Sequence, residues 1–96
     1  MIDGVRDLDI LCKRLKELRK RHSLTQEEFA QIAGLSYKHY QMIESGRKKQ
    51  IWLETVGRLA EAYGLESWEL LGPTLPENTK LAKPVPDSRV HNRAKK

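Results

Sequence analysis

The sequence has little of what catalytic and metal sites are usually built from. It holds a single cysteine, Cys12, in 96 residues. One cysteine cannot close an internal disulfide or build a zinc site, so nothing here calls for an oxidising compartment. The histidines, His22, His39 and His91, are scattered and have no acidic partner at a useful spacing. There is no glycine-rich phosphate loop and no nucleophile–base pair. An enzyme is therefore not expected, and neither is a cofactor or a metal. No apolar run approaches the ~20 residues of a membrane span. The N-terminal MIDGVRDLDILCKRL lacks the apolar stretch of a signal peptide. These absences lead us to expect a cytoplasmic chain with no membrane partner.

The charge is more informative by position than by size. The net charge is +5. Residues 1–71 carry 12 Lys/Arg and 11 Asp/Glu, and residues 72–96 carry 6 and 2. The presumed globular part is thus nearly neutral, so any polyanion-binding argument must rest on where its cations sit. In a chain this short the core is small, and compact helix packing is the expected route to stability.

The strongest local signals lie in TQEEFAQIAGLSYKHYQMIESG, residues 25–46. Thr25 followed by Glu28 is a capping box, and Leu24 with Phe29 has the spacing of a hydrophobic staple. Gly34 suits the left-handed C-terminus of the first helix. Ser36 caps the next helix, Leu35 and Tyr40 repeat the staple, and Gly46 ends it. Two capped helices joined by a short glycine turn are the parts of a helix-turn-helix. Tyr40 and Ile43 face inward and Glu44 faces the body of the domain, whereas Tyr37, Lys38, Gln41 and Met42 lie on another face.

Elements on both sides support this unit. Asp9 can cap a helix from about Ile10, in which Leu11, Leu15 and Leu18 form one stripe. Cys12 beside that stripe reads as a half-buried structural thiol. Lys13, Arg14, Lys16, Arg19, Lys20 and Arg21 occupy the rest of the surface, either as a solvated face or as a phosphate-facing flank. Arg47, Lys48 and Lys49 form a basic loop, suited to clamping a phosphate. Leu53, Val56, Leu59, Ala60 and Tyr63 mark a fourth helix, ended by Gly64. Trp68, Leu70 and Leu71 mark a short fifth, stopped by Gly72 and Pro73. Core packing is the expected place for Trp68. From Gly72 onward, four prolines and a basic composition predict a flexible tail over 72–96, beyond a domain of 1–71.

Residues 11–71 resemble the Cro/repressor-type (XRE-like) helix-turn-helix family. The resemblance is carried by LKELRKRHSLTQEEFAQIAGLS, then IESG, then LETVGRLAEAYGL and ELL. It implies an all-α, lambda-repressor-like bundle of five helices that binds double-stranded DNA, regulates transcription as a repressor and works as a homodimer on a two-fold operator. Carried over by that resemblance, Gln26 contacts a phosphate and Ser36 the DNA backbone. Tyr37, Lys38 and Met42 match base-reading positions with Gln41 beside them, and Arg47 and Lys48 fall in a backbone-holding loop. Four features depart from the family pattern: Tyr40 at a usually aliphatic buried place, a longer loop after Gly46 without Asn-Pro, Trp52 at a usual capping position, and Ser67–Trp68 in the fifth helix. Two other functions stay open at this point. One is an antitoxin whose tail wraps a toxin, and the other is a protein-interaction adaptor using the same bundle.

Overall fold

A computed structural model describes residues 4–48 and 50–84. Five helices follow one another: α1 (Gly4–Arg21), α2 (Gln26–Ala33), α3 (Tyr37–Glu44), α4 (Leu53–Ala62) and α5 (Ser67–Leu71). No strand occurs among the described residues, and no helix among them is long and apolar enough to cross a membrane. The all-α, five-helix architecture is the one expected.

The core forms where the apolar periodicity of each helix places it. Leu11, Leu15 and Leu18 of α1 are buried and meet Phe29, Ala30 and Ile32 of α2, Tyr40 and Ile43 of α3, Val56, Leu59 and Ala60 of α4, and Leu70 of α5. Phe29 is at the aromatic centre. Its ring stacks on Tyr63 at 4.5 Å and meets Tyr40 edge-on at 5.1 Å. A side chain of this size, fully buried, contributes roughly 1.5–3 kcal/mol through its transfer from water. Cys12 is buried as well, and its thiol donates to the Ile43 carbonyl at 3.0 Å, tying α1 to the end of α3.

The structure differs from the sequence reading in four places. α1 starts at Gly4, not near Ile10. Asp9 lies inside the helix, and Asp7 occupies the first turn, where a carboxylate favours the positive end of the helix dipole. Leu53 fits the apolar spacing of α4 but is 77% exposed, at the first turn, where the helix projects beyond the core. Trp68 is 72% exposed rather than packed inside, because α5 is too short to bury more than the side of Leu70.

The fourth difference concerns the tail. Its first part, residues 72–84, lies along the bundle as a strap. Arg14 donates to the carbonyls of Leu70 and Gly72, both at 2.9 Å, and so satisfies the C-terminal end of α5. Arg21 donates to the Pro76 carbonyl at 2.8 Å, and His22 Nε2 pairs with Thr79 Oγ1 at 2.8 Å. The Lys80 and Ala82 amides donate to the Tyr63 and Ala62 carbonyls at 3.1 and 2.9 Å. Leu75 and Leu81 pack against the core. Gly64 makes this approach possible. It has a φ of 71°, and a Cβ there would stand 3.1 Å from the Lys80 carbonyl oxygen. The expectation for 85–96, like that for Lys49, falls outside the described residues.

Candidate nucleic-acid interface

Local capping chemistry sets the angle between α2 and α3. Thr25 Oγ1 accepts from the Glu28 amide at 3.1 Å, and Glu28 Oε1 accepts from the Thr25 amide at 2.8 Å. At the other end of α2, Gly34 takes the left-handed conformation at φ 77°, and the Leu35 amide reaches back to the Ala30 carbonyl at 2.9 Å. Ser36 then opens α3, its Oγ accepting from the His39 amide at 3.1 Å. The predicted caps and glycine turn are all present, and they hold α3 with one side inward and one outward.

The outward side carries most of the predicted readers. Tyr37 is 46% exposed, and Lys38 and Gln41 are exposed. Met42 is half-buried and lines a shallow hollow of about 150 Å³ with Gln41, Ser45 and Arg47. Gly46, at φ 82°, turns the chain so that Arg47 and Lys48 follow directly. Arg47 is exposed and Lys48 half-buried. Among the described residues none of Lys38, Arg47 and Lys48 is in an ion pair, so their charge is available to a partner. The predicted site residues thus fall on α3 and the loop after it, with Ser36 at the head of α3 and Gln26 at the head of α2.

The arginines of α1 are engaged within the protein. Arg14 and Arg21 hold the strap, and Arg19 forms a two-pronged pair with Glu44, Nε to Oε2 at 2.8 Å and Nη2 to Oε1 at 2.9 Å. Lys13, Lys16 and Lys20 are left on the surface. The basic flank is therefore half structural and half solvated.

Sequence reasoning missed a polar network under the interface. Glu44 is 2% exposed. Besides Arg19 it accepts from Gln26 Nε2 at 2.8 Å and from the Tyr40 hydroxyl at 2.5 Å. Arg19 also donates to the Leu24 carbonyl at 2.9 Å. Burial by itself would raise the Glu44 carboxyl. The hydrogen bonds from Arg19, Tyr40 and Gln26, with the Arg19 charge, outweigh it and hold the group below the usual carboxylate value. The bond to Glu44 likewise keeps Arg19 firmly protonated. Burial and the same hydrogen bond push the Tyr40 phenol far up, so it stays a donor. The one legible sign was Tyr40 four residues before an acid on an inward helix face.

Gln26 also lines a shallow groove of about 600 Å³ with Arg19, Leu24, Thr25, Glu27 and Tyr37. The groove lies at the N-terminal end of α2, where amide groups favour an anion. A family model for helix-turn-helix domains matches residues 15–71, which take in the capped unit and the helices around it. The chain belongs to the XRE-like helix-turn-helix family. It is 38% identical over 61 residues to the HTH-type transcriptional regulator DdrOP3 of Deinococcus deserti. That match covers 64% of this chain and 46% of the relative, so the chain spans less than half of the relative's length. No solved structure matches it. Among the described residues of this helix-turn-helix protein, no group of three or more His, Cys, Asp or Glu could hold a metal ion.

Proposed function

We propose that this protein is a sequence-specific DNA-binding transcriptional regulator that reads the major groove with α3 and acts as a repressor in the cytoplasm. The observation that carries the reading is the outward side of α3. Tyr37, Lys38 and Gln41 stand exposed on a helix whose other side is fully buried. Lys38 can donate to guanine O6 and N7, Gln41 can pair with adenine, and Met42 can meet a thymine methyl. Tyr37 can donate to a phosphate or a base. Gln26, Ser36, Arg47 and Lys48 take the DNA backbone, and Arg47 and Lys48 bring the charge that makes such binding salt-dependent. The relative's description as a transcriptional regulator supports the same reading.

The active form is a homodimer on a two-fold operator. One bundle of this size presents few base-reading side chains, and dimers of this type span half-sites about one helical turn apart. Three large apolar side chains, Trp52, Leu53 and Trp68, are 78%, 77% and 72% exposed. A subunit contact would cover such surface.

Selection of bound DNA from a random pool tests the reading. An enriched sequence with two-fold symmetry is the expected result. Lys38→Ala should bind the selected DNA more weakly and with relaxed preference at one position of each half-site. Failure to enrich any sequence at low salt, or equal binding by Lys38→Ala, overturns the assignment of α3 as the reading element.

A further inference from the structure

Gln26 is the one predicted DNA contact whose side chain is already held inside the protein. A carboxylate can only accept, so the atom of Gln26 facing Glu44 Oε1 at 2.8 Å is the amide nitrogen. That nitrogen has a second hydrogen to give. Gln26 is the first residue of α2 and lines the groove at its head. Glu44 lies at the far end of α3 and is 2% exposed, so it cannot itself meet DNA. Its other donors fix it from both flanks: Arg19 from α1, and Tyr40 one turn earlier in α3. Tyr40 in turn is fully buried against Phe29, so its hydroxyl is a rigid post.

We propose that Glu44 is a positioning residue for DNA binding, holding Gln26 at the head of α2 so that its remaining amide hydrogen meets a backbone phosphate, with Tyr40 bracing the carboxylate. The phosphate seats in the groove beside Arg19, Thr25 and Tyr37. Its contact with Gln26 is preorganised, because the side chain is ordered before DNA arrives and little rotamer entropy is lost on binding. Arg19 cannot substitute for Gln26 there while its guanidinium is committed to Glu44 and Leu24. The inference rests on the proposed phosphate role of Gln26.

The test uses the full chain on DNA selected by the wild type and measures affinity and ethylation interference for Gln26→Ala, Tyr40→Phe and Glu44→Gln. Tyr40→Phe and Glu44→Gln are also combined with Gln26→Ala. Thermal unfolding confirms that each variant is folded at the binding temperature; Tyr40→Phe keeps the ring and carries the test if Glu44→Gln does not fold. Gln26→Ala should lose interference at one phosphate of each half-site and bind about fivefold more weakly, equivalent to ~1 kcal/mol. Tyr40→Phe should lose interference at that same phosphate, bind about threefold more weakly, and add no further loss once Gln26 is alanine. An unchanged footprint for Tyr40→Phe, or an equal loss in both backgrounds, overturns the positioning role while leaving the phosphate contact standing. If Gln26→Ala keeps both footprint and affinity, the phosphate reading itself falls, and the proposal with it.

Discussion

On the inner side of α3, Tyr40, Ile43 and Glu44 are at most 2% exposed, and every polar atom of Glu44 is bonded. On the outer side, Tyr37, Lys38 and Gln41 are exposed and have no side-chain hydrogen bond among the described residues. The same helix is thus locked on one side and uncommitted on the other. Locking removes freedom that a DNA partner would otherwise have to freeze out. The uncommitted side keeps its donors and acceptors for base edges. Substitutions on the inner side should therefore act through folding, and those on the outer side through binding alone.

The largest break in this comparison comes from Glu44→Ala. It strands Arg19 beside a cavity and removes the acceptor of Tyr40 and Gln26. Loss of one partner of a buried pair costs about 3–5 kcal/mol, measurable by denaturant unfolding. A loss under 1 kcal/mol would show that the network is dispensable. The same carboxylate sets an acid limb. Its folded pKa lies below the ordinary value of 4.5, so its contribution is complete above that value and is lost as pH falls through the folded one. The midpoint of unfolding should drop as the pH falls below the usual carboxylate range, and Glu44→Gln should flatten that drop.

Next in size is Lys38→Ala on the outer side. Loss of a bidentate base contact is worth roughly 1–3 kcal/mol of discrimination, while unfolding should stay within about 0.5 kcal/mol of the wild type. A variant that lost stability as well would mean that the outer side is not free. Arg47→Ala gives a smaller effect of a different kind. It should weaken binding evenly across sequences and reduce the slope of log K against log salt by about 0.9.

The two sides also differ in how legible they were. The ends of α2 and α3 could be read because the signals are local: Thr25 with Glu28, Gly34, Ser36 and Gly46 act within a few residues of themselves. The outward position of Tyr37, Lys38 and Gln41 followed from helical spacing alone. Contacts between distant residues were not legible. Arg19 and Glu44 are far apart in the chain, and Arg19 looked like one more cation on a basic surface. The strap was hidden for the same reason, because its prolines and charge read as a tail while Arg14, Tyr63 and Gly64 hold it from outside. The start of α1 was missed because nothing between Gly4 and Asp9 stops a helix once it has formed, and Asp9 is as compatible with a first turn as with a cap.

The smallest predicted effect sharpens the contrast by comparing two buried tyrosines. Tyr40 and Tyr63 are both fully buried and both pack on Phe29, so their rings are nearly equivalent in apolar terms. Their hydroxyls are not. Tyr40 donates to a carboxylate, whereas the Tyr63 hydroxyl has no protein partner among the described residues. Burial pushes both phenols above their ordinary value, so neither ionises near neutral pH. Removing the hydroxyl of Tyr40 takes away a hydrogen bond to a charged group, worth about 1.5–3 kcal/mol. Removing that of Tyr63 takes away a polar atom with no protein bond to lose, which should leave stability within about 0.5 kcal/mol or raise it. Denaturant unfolding of Tyr40→Phe and Tyr63→Phe in parallel separates packing from bonding. Equal losses would mean that ring packing alone holds the inner side of α3, and that Glu44 does not depend on Tyr40.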